Sequence, residues 1–275
     1  MTLKGKCSNN SNIMKPLLTV NNLSVAYAGN SMKEVLKSVS FKLYEGEILG
    51  IVGESGSGKT TLASSILNIL PPDARKEGEI IFKNKNIIKM NDKELRNIRG
   101  DRINIIFQEP AASFNPVLTI GYHFSEFMKK SFTRGTQGNI DDIVENLLRR
   151  SGIYDTKRIL KSYPHQLSGG QLQRAMIALS ISSNPDILIA DEPTSSLDVT
   201  VESQIVNLLL ELREEFGFTV LFITHNLGLI KVLCDRVVFL YKGKVEEITD
   251  TKSLLERPKH ESTKMFINDY LRLTS

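Results

Sequence analysis

The sequence predicts an α/β fold built on a parallel sheet, and three observations carry that expectation. Short apolar runs that read as buried strands recur at residues 47–52, 103–107, 187–190 and 219–224, with helical patterns between them. Strands alternating with helices favour parallel pairing through crossover connections. The first run leads into Gly53-Glu54-Ser55-Gly56-Ser57-Gly58-Lys59-Thr60 and then a helical pattern over 61–70 that stops at Pro71-Pro72. The third run delivers two acids, Asp191 and Glu192, at its C-terminal end, where open α/β sheets bind ligands. The chain has 275 residues, 41% hydrophobic and 24% charged. It is long enough for one large domain or two small ones and for a sizeable core.

The Gly53–Thr60 stretch has the chemistry of a phosphate cradle. Gly53, Gly56 and Gly58 let the backbone bend until successive N–H groups, including those of Ser55 and Ser57, turn toward an anion. The helix that opens at Thr60 and Thr61 adds free N–H groups and its positive dipole end. Lys59 reaches the β- and γ-phosphates of a nucleotide in such a loop, and the Thr60 hydroxyl ligates Mg2+. A solvated Gly/Ser-rich turn is the plain alternative, but the strand before and the helix after it favour nucleotide binding.

Taken in order, residues 1–15 are polar and rich in Asn and Ser, without the apolar centre of a signal peptide. Lys6 before Cys7 argues against lipoprotein processing, and the tail, 1–16, reads as disordered. Residues 17–25 and 35–43 read as strands around a Gly29-Asn30-Ser31 turn. Tyr27 follows the first strand. It is either an aromatic platform for a nucleobase or a half-buried strand-end tyrosine. Residues 79–82 read as a short strand and 91–99 as an exposed helix capped by Asn91. Asn84-Lys85 begins a guanine-reading pattern, but Ile87 stands where the acid is needed. A GTPase is therefore disfavoured.

The strand at 103–107 ends at Gln108, and the character then changes. Residues 117–128, 140–151 and 157–161 read as helices, separated by a basic, Gly-containing segment at 129–139 and entered through Pro110 and Pro116. Leu167-Ser168-Gly169-Gly170-Gln171 opens a further helix to about Ser183. A Ser cap and two glycines make this either a flexible cap or a second phosphate contact. After the acids come a helix at 201–216 and a strand at 219–224 that ends at His225. Asp191 is suited to a Mg2+ shell and Glu192 to orienting and deprotonating a water. A strand-end histidine can donate to a γ-phosphate, although a structural role is the commoner one. A hairpin over 236–248 turns at Gly243, and a short helix at 251–256 stops before Pro258. The remaining tail is amphipathic and weakly specified.

Other readings narrow on bulk properties. The 35 basic and 31 acidic residues leave a net charge of +4, too balanced by itself to point to a nucleic-acid partner, and none is expected. Cys7 and Cys234 have no metal-ligand spacing and read as reduced thiols. No apolar run approaches the roughly 18 residues that span a bilayer.

The ordered set of these motifs resembles the ATP-binding cassette (ABC) ATPases over residues 17–248. Leu167-Ser-Gly-Gly-Gln171 is the element that separates that family from other phosphate-loop proteins. The resemblance implies a RecA-like P-loop core with a parallel sheet at 17–107 and 185–250, together with an antiparallel β-subdomain. An inserted α-helical subdomain at 108–184 and a short extension at 251–275 complete the expected plan. ATP and Mg2+ are the implied ligands. Tyr27 matches the adenine-stacking aromatic, and Gln108 the loop glutamine that contacts Mg2+ and the attacking water. Glu192 matches the catalytic base and His225 the switch histidine. Ser168 to Gln171 would meet the γ-phosphate held by the opposite subunit, with Asp198 at that interface. The implied partners are a second cassette, identical or paralogous, two membrane permeases and, indirectly, an extracytoplasmic binding protein. The place is the cytoplasmic face of the membrane.

A narrower resemblance runs to the peptide and nickel importer ATPases. It rests on Phe107-Gln-Glu-Pro-Ala-Ala-Ser-Phe-Asn-Pro-Val-Leu-Thr-Ile-Gly121, Tyr163 to Gln171 and Ala190 to Thr200. With only Cys234 in the second half, the iron–sulfur cluster of some peptide-branch subunits is excluded. The short tail leans toward metal, metallophore or short-peptide import. Chromosome-maintenance ATPases need a long coiled coil where only 108 positions separate Lys59 from Leu167. Translation factors of the family carry two cassettes per chain. An intact Glu192 argues against a regulator without turnover.

Overall fold

The computed structural model describes residues 15–28, 32–132, 139–195 and 197–274. Most of the expected disordered tail, the 29–31 turn and the centre of the basic 129–139 segment lie outside the described residues. In chain order the elements are β1 (Pro16–Tyr27), β2 (Lys33–Tyr44), β3 (Ile48–Val52), α1 (Lys59–Ile66), β4 (Arg75–Phe82) and β5 (Lys85–Asn86). Next come α2 (Asp92–Arg96), β6 (Ile103–Ile106), α3 (Pro110–Ser113), α4 (Ile120–Phe132), α5 (Ile140–Arg150), α6 (Thr156–Lys161) and α7 (Gly169–Ile181). The chain then returns to the sheet with β7 (Ile187–Asp191), α8 (Val199–Phe216), β8 (Thr219–Thr224), α9 (Leu227–Leu233), β9 (Arg236–Tyr241) and β10 (Lys244–Asp250). It closes with α10 (Thr251–Glu256) and α11 (Glu261–Thr274).

The central sheet has the order β10-β9-β3-β8-β7-β6. Its strands run parallel except for the β9–β10 hairpin. The apolar runs are continuous because both sheet faces are covered. Side chains alternate between two cores: Ile48, Leu188, Ala190, Val220, Phe222 and Phe239 enter one. Leu49, Ile51, Ile187, Ile189, Leu221 and Ile223 enter the other. The first core continues without a break into the inserted helices, through Phe124, Met128, Leu148 and Met176. The second holds α1 and a separate antiparallel sheet of order β2-β1-β4-β5. The molecule is thus an α/β P-loop core with an antiparallel β-subdomain, and with helices entered between β6 and β7.

Several boundaries differ from the sequence expectation, each for a local reason. Pro16, assigned to the tail, pairs with Tyr44 as the first residue of β1. The loop helix starts at Lys59 and ends by Ile66, where Asn68 at φ 54° leaves the helical region before the two prolines. The strand expected at 79–82 extends back to Arg75, because β1 supplies paired backbone groups as far as Ala26. The helix expected at 91–99 shrinks to a short turn held by an Asn91–Glu94 capping box. The weakly specified tail is a helix, α11, whose Ile267 is buried in the first core. Cys234 is buried, and burial pushes its thiol well above its ordinary range, which leaves it inert.

Candidate active site

The loop between β3 and α1 is built by close approach. A Cβ on Gly53 would collide with the Leu240 carbonyl oxygen of β9, so the strand can pass only as glycine. Gly58 sits at φ 106° as the N-cap of α1, and a Cβ there would lie 2.7 Å from Leu36. Lys59 is buried, and its Nζ donates to the carbonyls of Gly53 at 2.9 Å and Glu54 at 3.0 Å. That folds the side chain back over the loop. Burial pushes its ammonium below the ordinary value, while Glu192 and then Asp191 pull it up. A buried cation beside the N-terminal end of α1 fits a phosphate, although the Ser57 N–H, expected to face the anion, donates to the Glu54 carbonyl at 3.1 Å.

Around this loop lies a cavity of about 520 Å3, lined by Ser55, Gly56, Gly58, Lys59, Thr60 and Thr61 together with Gln108 and Glu192. Parallel pairing explains the convergence. β6, β7 and β8 lie side by side with β3, so the residues that follow their C-terminal ends share one edge of the sheet. Gln108 Nε2 donates to Glu192 Oε2 at 3.4 Å, and His225 Nδ1 lies 3.1 Å from Glu192 Oε1. Glu192 is held at φ 47°, a left-handed conformation that is strained for a residue with a Cβ. Its carboxylate is largely shielded, at 14% exposed, between Gln108 and His225. A shielded carboxylate with one histidine contact at the mouth of a phosphate cavity has the geometry to accept a proton from water.

Asp191 behaves differently from its neighbour. It is 3% exposed, and its Oδ1 is buried without a partner. Burial pushes its carboxyl above the ordinary 3.8; a hydrogen bond with Thr60 pulls it down, Glu192 pushes it up and Lys59 lowers it. Ser57 Oγ is likewise buried and unpartnered. An orphaned carboxylate oxygen on a side chain bonded to Thr60, with Gln108 on the same cavity as Thr60, is a hard-oxygen donor set. Mg2+ typically takes one or two carboxylates and completes its shell with water and phosphate oxygens. The residues therefore fit Mg2+, which when bound neutralises phosphate charge.

The signature turn, Tyr27 and Asp198 are not among the residues that line the cavity. Ser168 and Gln171 form a capping box on α7, with Ser168 Oγ accepting from Gln171 N–H at 3.3 Å and Gln171 Oε1 accepting from Ser168 N–H at 3.3 Å. Gly169 and Gly170 follow at the exposed helix start. Ser168, Gly170 and Gln171 line a separate cleft of about 250 Å3 with Arg174 and Val201, not the phosphate cavity of their own chain. Tyr27 is half-buried at the end of β1, and its hydroxyl donates to Thr61 at 3.4 Å. It touches the loop helix but does not line the cavity; Lys33, Glu34 and Val35 of β2 do. Asp198 caps α8, its Oδ1 accepting from Thr200 and Val201.

Sequence reasoning missed two supports. Gln173, 1% exposed on α7, donates from Nε2 to the Pro193 carbonyl at 2.7 Å, which ties the start of α7 to the backbone beside Glu192. Its signal was a polar residue on the buried face of an apolar helix. Gly243 at the tip of the β9–β10 hairpin donates to the Ser57 carbonyl at 3.1 Å, and Lys242 beside it lines the cavity. No local pattern marks that contact, which spans most of the chain.

Fold and site together define a phosphate-loop nucleotide hydrolase with an inserted helical signature. The sequence pattern described as ABC transporter matches residues 36–195. Among similar proteins is a probable peptide ABC transporter ATP-binding protein, y4tR, of Sinorhizobium fredii. It is 41% identical over 92% of this chain and 76% of its own length. The dipeptide transport ATP-binding protein DppD of Bacillus subtilis is also 41% identical, over 94% of this chain and 78% of its own. A dimeric ATP-binding cassette, MJ0796, solved in a post-hydrolysis state with ADP and Pi, superposes with a TM-score of 0.75. It is 32% identical and covers 85% of this chain and 98% of that one. The chain belongs to the ABC transporter family and is an ATP-binding ATPase.

Proposed function

We propose that this chain is the ATP-hydrolysing subunit of an importer that takes up peptides, or metal complexes of similar size, through partner permeases. One observation carries the coupling to a membrane partner. Gln108 lines the catalytic cavity, and its neighbour Phe107 lines a groove of about 580 Å3 between β6, α4 and α7. Phe107 and Tyr122 stand exposed on that groove. An exposed apolar patch of this kind marks an interaction site, and here it adjoins a residue that touches Glu192. A permease seated there would act on the same strand end that contacts the catalytic carboxylate. The peptide-transport names of the similar proteins support the cargo class.

In this reading Lys59 and the loop amides hold the β- and γ-phosphates, and Tyr27 stacks at the base end. Asp191, Thr60 and Gln108 hold Mg2+. Glu192 accepts the proton of the attacking water, and His225 contacts the γ-phosphate. Ser168 to Gln171 and Asp198 belong to the site of a second cassette, so two nucleotides are sandwiched between two chains. The helical segment 108–184 then moves against the core of 17–107 and 185–250. Among the described residues no helix is long and apolar enough to cross a membrane. Attachment at the cytoplasmic face therefore falls to the permeases, and an extracytoplasmic binding protein delivers the cargo to them.

The test is co-purification of this chain with its candidate permeases, followed by ATP turnover in vesicles. We expect turnover to rise when peptide and binding protein are supplied. Turnover that is indifferent to every peptide and metal complex, or failure to co-purify with any permease, rejects the importer reading.

A further inference from the structure

We propose that Tyr270, on the C-terminal helix α11, is a positioning residue for His225. The helix has one buried face, formed by Thr263, Phe266, Ile267 and Tyr270 at helical spacing. Phe266 packs on Phe239 of β9 with ring centroids 5.3 Å apart, and Ile267 is 5% exposed. These contacts dock α11 on the same core face as α9. The Tyr270 hydroxyl thereby arrives at the turn that follows β8. It donates to Asn226 Oδ1 at 2.9 Å and accepts from the Gly228 N–H at 3.0 Å.

Asn226 adjoins His225. Its Oδ1 also accepts from Gly228 N–H at 2.9 Å, and its own N–H donates to Thr224 Oγ1 at 3.1 Å. The residues on both sides of His225 are therefore tied down, and Tyr270 closes that set from 44 positions away. His225 itself is half-exposed and is oriented by its approach to Glu192 and by the backbone on either side. A Cβ on Gly228 would lie 2.9 Å from the Tyr270 oxygen, so the turn leaves little more than glycine's room for that hydroxyl. The tyrosine is not among the residues that line the phosphate cavity; it holds Asn226, and Asn226 sets the position of His225. This rests on the reading that His225 contacts the γ-phosphate, and it gives the C-terminal helix a part in turnover.

The experiment is steady-state ATP hydrolysis and thermal melting of the full chain as Tyr270→Phe, Ile267→Val, His225→Ala and the Tyr270→Phe/His225→Ala double variant. Loss of one hydrogen bond at a positioned group should lower kcat of Tyr270→Phe by about 3- to 10-fold. The KM for ATP should stay within about twofold, since binding is not what the hydroxyl serves. Ile267→Val should lower Tm and leave kcat intact, separating helix docking from hydroxyl function. The double variant should be no slower than His225→Ala alone, because residues acting as one unit are not additive. Wild-type kcat in Tyr270→Phe beside a crippled His225→Ala overturns the proposal, as does a double variant in which the two losses multiply. Full turnover in His225→Ala overturns the reading of His225 itself, and the role of Tyr270 falls with it.

Discussion

Two adjacent carboxylates at the end of β7 have opposite surroundings, and that difference supports the separate roles proposed for them. Glu192 faces the cavity between Gln108 and His225, whereas Asp191 is buried with an oxygen that finds no protein partner. Glu192→Gln should bind ATP but lose turnover by about 10²–10⁴-fold, the usual contribution of a general base. Near-normal hydrolysis in that variant would reject the assignment. Asp191→Asn tests the other role. Burial raises the folded-state pKa of Asp191 above its unfolded value. Its contribution to stability is therefore fully present below the unfolded carboxylate value and is lost as pH rises through the folded one. Asp191→Asn, which carries no carboxylate charge, should melt higher than wild type as pH rises through that folded value. The gap should close on acidification, and Mg2+-dependent hydrolysis should be lost. Calorimetry across pH checks the first part, and a Tm gap that does not widen in the variant's favour as pH rises contradicts it.

At the scale of elements, α7 does more than present a signature. Its first turn carries Ser168 to Gln171, its middle packs in the shared core, and Gln173 reaches the carbonyl after Glu192. Gln173→Leu leaves that buried carbonyl unpaired, at about 1–3 kcal/mol. Melting should drop accordingly, and kcat should fall about tenfold, equivalent to some 1.4 kcal/mol of lost transition-state stabilisation. ATP affinity should hold. A lower Tm with unchanged kcat would make Gln173 a packing residue only. The elements that sequence reading recovered well are those whose chemistry is local. The strand–glycine loop–helix unit carries its own signal, as does an apolar strand ending in acids. Elements recovered poorly depend on distant partners. The backward extension of β4 needs β1, and α11 needs the face beside Phe239 that its buried residues cover.

The whole molecule holds apart the two turns that the proposed function assigns to two halves of one site. The phosphate loop and the Ser168–Gln171 turn line different cavities of one chain. The Ser168–Gln171 turn therefore does not close over the phosphate loop of its own chain. Ser168→Arg should leave ATP binding to the single chain unchanged and prevent ATP-dependent dimerisation, read by light scattering. Normal dimerisation in that variant would remove the signature turn from the interface.

The sequence by itself determined the phosphate cradle, the acid pair, the signature turn and the alternating plan of the core. Each is written in consecutive residues whose spacing alone meets a chemical need, whether glycines that must bend, a lysine that must reach or a strand that must end in charge. Only the tertiary structure decided that Gln108, Glu192 and His225 meet within hydrogen-bonding range, that Gln173 ties α7 to the loop of Glu192, and that Tyr270 reaches the turn of His225. Those contacts join residues 20 to 84 positions apart. They exist because parallel strands bring their C-terminal ends to one edge and helices dock on the faces between them, an arrangement set by burial across the whole chain rather than by any local pattern.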